Sequence, residues 1–145
     1  MGYTHCFRKE RDFSDVEWDL LTRATKKILK MEDLSGVKIS RNDDGKAPVV
    51  NKNEICFNGV NDESHETFLV RKTGDTGFNF CKTAEKPYDV FVCMVLLASD
   101  DVAKGVLGIG SDGWWDVEWV NARELYKKLF GVEPVNPGIS LRPIE

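Results

Sequence analysis

Apolar residues change period several times along this chain, and each change marks an expected element. From Ser14 to Met31, Leu20, Leu21, Ala24, Ile28 and Met31 recur at helical spacing, while Arg23, Lys26, Lys27 and Lys30 take the opposite face. Ser14 with Glu17 forms a capping box, and Phe13 with Trp18 supplies a hydrophobic staple around it. Gly36 then reads as a stop or turn. A second helix follows Pro87, which suits a first helical turn because its missing N–H costs nothing there. The unbroken apolar run from Val90 to Ala98 predicts that this helix is buried on nearly all sides. A third helix is expected from near Asp116, with Trp119, Ala122, Tyr126, Leu129 and Phe130 as its apolar stripe and Gly131 as its stop.

Between the helices the pattern shortens to strand-like segments. Tyr3 to Arg8 reads as a first strand and Val37 to Ile39 as a second. Glu54 to Gly59 and Glu66 to Arg71 read as two strands joined through the polar segment Asn61 to Ser64. Asn42 to Gly45 is an expected turn, and Gly74 to Gly77 is a polar break before an extended Phe78 to Cys81. Val106 to Ile109 is a late strand closed by Gly110, Ser111, Asp112 and Gly113. Pro134 to Pro143 is an expected extended tail. Strand, helix, several strands, helix, strand, helix predicts an α+β fold: one domain over residues 1–145, tail 134–145 included, with about five strands in a mostly antiparallel or mixed sheet and three helices.

Composition narrows the function classes only a little. At 145 residues the chain can bury a substantial core, and a net charge of −4 argues against a nucleic-acid backbone binder. Cys6, Cys56, Cys81 and Cys93 show no C-x-x-C spacing, which is read as free thiols in a reducing cytosol. No signal peptide is expected from the charged start, no myristoylation from Cys6 at the required Ser/Thr position, and no membrane span from so short an apolar run.

Candidate chemistry gathers around the second helix. Lys82, Thr83 and Lys86 precede its N-terminus, where ammonium and hydroxyl groups beside free N–H groups would hold a phosphate. Tyr3, Phe57 and Tyr88 would offer stacking walls for a base. The plainer reading leaves Lys82 and Lys86 solvated, with Thr83 as a cap. His5 and His65 are the only histidines, and either would serve as an acid/base near neutral pH. Glu66 points away from His65 on a strand, so a His65/Asp112 or His5/His65 pairing is the more attractive geometry. Cys81 would gain nucleophilicity from Lys82 and the helix start, although a cysteine beside an apolar helix is usually core. A metal site from His5, Cys6, His65 and Cys81 matches no zinc-ribbon or finger spacing, so neither metal nor cofactor is expected. Asp112 is a turn residue or a ligand. Trp114 and Trp115 form either an interface or a cover over the core.

These blocks carry a resemblance. Gly2-Tyr3-Thr4-His5, Phe57-Asn58-Gly59, His65-Glu66-Thr67-Phe68, the run from Phe80 to Asp89, and Ser111-Asp112-Gly113 resemble, in order, segments of a family of small uncharacterised bacteriophage and bacterial proteins. Members commonly carry an aromatic residue where Cys6 stands. The resemblance implies a phage or mobile-element accessory protein acting in a bacterial cytoplasm. By analogy of setting, it suggests an anti-CRISPR inhibitor or a nucleotide-signal sponge. The resulting expectation is a non-enzymatic binder that sequesters a nucleotide or other phosphorylated small molecule, or that blocks a host defence protein. Its contact residues would be Tyr3, His5, Asn58, His65, Lys82, Thr83, Lys86 and Asp112, with Trp114 and Trp115 for a protein partner. The rival is a small phosphoesterase using His65, His5 or Asp112.

Overall fold

The computed structural model describes residues 2–41 and 46–144. It runs β1 (Thr4–Lys9), α1 (Asp15–Leu29), the single-turn α2 (Glu32–Ser35), β2 (Val49–Val50), β3 (Glu54–Phe57), β4 (Phe68–Arg71), β5 (Gly77–Lys82), α3 (Asp89–Val102), β6 (Leu107–Ser111) and α4 (Val120–Phe130). The α+β class, the antiparallel pairing and the three long helices agree with the hydrophobic pattern. The sheet arrangement does not: two three-stranded sheets form, ordered β5-β1-β6 and β2-β3-β4.

Lys9 links the two sheets. Although only 3 % exposed, its Nζ donates to the carbonyls of Arg71 (2.6 Å), Lys72 (3.1 Å) and Gly74 (2.7 Å). The ammonium therefore sits against the turn that leads from β4 to β5 and satisfies backbone oxygens there. Burial pulls the Lys9 pKa down from its ordinary value, against the opposing pull of Asp12 and Asp75. At the far end, one backbone bond, Glu66 N–H to the Lys82 carbonyl at 3.0 Å, keeps the two sheets in touch.

Three local expectations are corrected. Val37 to Ile39 forms no strand; the chain meets β3's end through a single antiparallel bridge, Ser40 to Asn58. The last helix begins at Val120, because residues 115–119 are occupied by turns tied through Trp119 N–H to the Trp114 carbonyl. Pro87 lies two positions before α3 rather than in its first turn. The expected turn at 42–45 lies outside the described residues.

Helix α3 is the centre of the molecule. It packs against α1, α4 and β6, and every residue from Phe91 to Ser99 is buried. Phe7, on the inner face of β1, meets Phe68 of β4 with ring centroids 5.4 Å apart, and Phe68 meets Phe57 at 5.2 Å. That aromatic chain joins both sheets to one hydrophobic core. Alternation along β1 sends His5, Phe7 and Lys9 inward and leaves Thr4, Cys6 and Arg8 on the other face.

Candidate functional site

His5 is completely buried, and both of its ring nitrogens are engaged. Register sets the first contact: His5 lies directly across β1–β6 from Ser111, with Nδ1 and Oγ 2.8 Å apart. The second comes from the start of α3, where Asp89 Oδ1 is 2.6 Å from Nε2. Asp89 also accepts from Thr83 Oγ1 at 2.5 Å. One turn further along α3, the Cys93 thiol points at Asp89 Oδ2, 3.6 Å away. Trp119 and Tyr3 flank the imidazole edge-on, with centroids 5.3 and 5.2 Å away.

Counting donors assigns the protons. Ser111 Oγ accepts from Trp119 Nε1–H (2.9 Å) and from the Gly113 N–H (2.9 Å), which fills both of its lone pairs. Its own hydrogen then goes to His5 Nδ1, so the imidazole proton sits on Nε2 and is donated to Asp89. The residue types are those of a Ser-His-Asp triad, but this serine has no free lone pair with which to attack a substrate. The arrangement is a buried hydrogen-bond knot that ties β1, β6, the β5–α3 connection and the approach to α4 to one another.

His5, Asp89 and Cys93 also place one ligand atom each within 4.8 Å of one another, which raises the question of a metal. A metal on Nε2 would move the ring proton to Nδ1, where the oxygen of Ser111 already accepts two N–H groups. Burial pushes the Cys93 thiol well above its ordinary pKa, and the neighbouring Asp89 adds to the effect. Both features fit a protonated knot better than a metal centre.

The other sequence-derived candidates scatter. Tyr3, Asn58 and Thr83 are buried. The Asn58 side chain organises the 58–67 loop, donating to the His65 carbonyl and Thr67 Oγ1 and accepting from the Gly59 and His65 amides. His65 is exposed, and Asn58 engages only its backbone. Lys86 Nζ is drawn to the Asp62 carbonyl, 2.8 Å away. Asp112 accepts from the Thr4 amide at 2.9 Å. The stacking walls expected from Tyr3, Phe57 and Tyr88 face the core instead. Cys81 is no nucleophile: it is fully buried, and that burial pushes its pKa up to about 12. Of the two neighbouring tryptophans, Trp115 is buried beneath Arg123, 4.5 Å from its ring, while Trp114 is 37 % exposed.

What the chain does present is the outer face of β5-β1-β6. Phe78 and Phe80 stand 65 and 63 % exposed on β5. Their rings are stacked 6.2 Å apart, with the Arg8 guanidinium 4.7 Å above Phe78. A cleft of about 530 Å³ beside them is lined by Thr4, Cys6, Glu66, Phe80, Lys82, Ser111 and Asp112. Strand alternation in residues 77–82 was the available signal for Phe78 and Phe80. By contrast, the cleft near the N-terminus of α3 includes Asp62 and Glu63 against Lys38. The helix terminus itself already faces the Asp89 carboxylate, which the helix dipole favours there.

Comparisons of the chain with protein-family models, with curated proteins and with solved structures give no match.

Proposed function

We propose that this chain is a non-enzymatic binding protein that sequesters a nucleotide or related phosphorylated small molecule on the outer face of the β5-β1-β6 sheet, as a phage or mobile-element counter-defence protein would. The observation that carries the reading is the cleft beside Phe80. It sets an exposed aromatic ring, the exposed Lys82 and the carboxylate of Asp112 around one concavity. An aromatic face stacks any base, an ammonium pairs with phosphate, and a carboxylate accepts from sugar hydroxyls or exocyclic amines. Lys82 and Asp112 thus stay in the site, whereas Tyr3, His5 and Thr83 support it from inside. The counter-defence setting rests on the family resemblance of the sequence blocks. A hydrolytic reading is less well supported, because His5 is sealed and the exposed His65 has neither Asp112 nor His5 as a partner.

The test is to incubate the purified protein with a panel of nucleotides and cyclic nucleotides, denature it, and compare what is released with what was added. Intact ligand in stoichiometric amount is the expected result, with Phe80→Ala lowering affinity roughly tenfold, in line with ~1–3 kcal/mol for one base-stacking contact, and Lys82→Ala lowering it at least as much through ~1.5–3 kcal/mol for a charged hydrogen bond. A converted product would make the protein an enzyme. Retention of nothing would remove the ligand reading and turn attention to a host protein, for which the exposed Trp114 is the first residue to change.

A further inference from the structure

The edge of the same sheet carries an unmet requirement of its own. The Glu10 amide bonds the Val106 carbonyl and the Asp112 amide bonds the Thr4 carbonyl. These two bonds bracket the β1–β6 register, in which Cys6 faces Gly110 and Arg8 faces Gly108. In an antiparallel ladder, bonded and non-bonded pairs alternate. The pairs Cys6/Gly110 and Arg8/Gly108 therefore exchange hydrogen bonds, while the N–H and C=O groups of Leu107, Ile109 and Ser111 point away from β1. Strand β6 has no neighbour on that side, and among the described residues no group pairs with those six.

Natural edges of this kind are usually blunted by a lysine, a proline or a bulge. Leu107-Gly108-Ile109-Gly110-Ser111 has none of these. Glycine is also costly in a strand unless something approaches closely. At Gly110 the monomer supplies the reason, since a Cβ there would lie 2.7 Å from Cys6 Sγ. At exposed Gly108 it supplies none: a Cβ would meet only Arg8 atoms at 3.8 Å, an ordinary contact.

We propose that β6 pairs antiparallel with β6 of a second copy of this chain, giving a continuous six-stranded sheet around a two-fold axis. Self-complementarity is what selects a second copy. With the axis at Ile109, every outward-facing residue meets another: Leu107 meets Ser111 of the second copy, Ile109 meets its own equivalent, and Ser111 meets Leu107. All the outward groups are satisfied at once with no slip in register. On the outer face only glycines from the two strands meet, so no like charges oppose one another. The two ligand clefts then lie on one continuous surface, with Gly108 and Gly110 of both copies as its floor. The pairing does not depend on any ligand.

Light scattering across a concentration series tests the state, and residue-resolved amide exchange tests the edge. The expected result is a doubled mass, with the amides of Leu107, Ile109 and Ser111 slowing as the dimer forms, while Gly108 and Gly110 stay protected in monomer and dimer alike. Gly108→Lys and Gly108→Glu place a charge where the monomer has room. Residue 108 of one copy lies diagonal to residue 108 of the other, within reach of long side chains, so each variant alone is expected to weaken the dimer several-fold and a mixture of the two to favour the heterodimer. A monomer at all concentrations with fast exchange at the three outward amides overturns the proposal. So does a dimer of equal affinity in the unmodified protein, in each variant and in their mixture.

Discussion

At the scale of single residues, the decisive one is Asp89. Its carboxylate is 17 % exposed, yet it gathers the imidazole of His5, the hydroxyl of Thr83 and the thiol of Cys93 on two oxygens. Asp89→Asn keeps the shape but exchanges an acceptor for a donor, so one of those hydrogens is left facing another. An unmet buried partner costs about 1–3 kcal/mol, and urea denaturation is expected to show a loss of that size. An unchanged midpoint would mean that the knot contributes nothing to stability. Gly113 belongs to the same arrangement, since a Cβ there would fall 2.1 Å from the Tyr3 hydroxyl oxygen. The sequence pointed to His5 but not to its partners. Asp89 was hidden at the start of an apolar helix, and Asp112 drew notice ahead of Ser111, which the β1–β6 register turns inward.

Among the elements, α1 was the most legible, because its start is determined locally. The capping box expected from Ser14 and Glu17 is present, with both reciprocal bonds made, and the Phe13 and Trp18 rings lie 5.2 Å apart. Arg11 adds a two-pronged contact to the Glu17 carboxylate, with both distances 2.8 Å. Arg11 and the Ser14 amide together hold the Glu17 pKa down at about 2, from an ordinary 4.5. A depressed carboxylate stabilises the fold above its unfolded pKa and loses that contribution as pH falls through the folded one. Glu17→Gln is therefore expected to flatten the stability–pH curve between about pH 4.5 and 2 and leave the rest of its shape intact. Ser14→Ala should cost about 1 kcal/mol at neutral pH, and a thermal-melt comparison of both variants with the unmodified protein checks the pair. Strand β5 was less legible: its alternation could be read, but which face met solvent depended on where α3 lay.

For the whole molecule, the ammonium of Lys9, a residue that a hydropathy pattern marks as solvent-exposed, fastens β1 of one sheet to the segment that leaves β4 of the other. Lys9→Met fills the space but leaves the carbonyls of Arg71 and Gly74 without their donor, while that of Lys72 keeps the Phe13 amide. A destabilisation on the order of 2 kcal/mol is expected, together with faster amide exchange across residues 72–76. Slow exchange there in the variant would show that the turn holds without the lysine. What the sequence by itself determined is whatever depends on near neighbours: the capped start of α1, the stop of α4 at Gly131, the buried run of α3 and the α+β class. Periodicity and capping act within a few residues, so they can be read along the chain. Only the tertiary structure decided that there are two sheets, that His5 is sealed beside Asp89 and Ser111, and that the exposed aromatics are Phe78 and Phe80 rather than Tyr3, Phe57 and Tyr88. Each of these depends on contacts between residues far apart in the chain, where burial and hydrogen-bond partners are set by packing and not by local pattern.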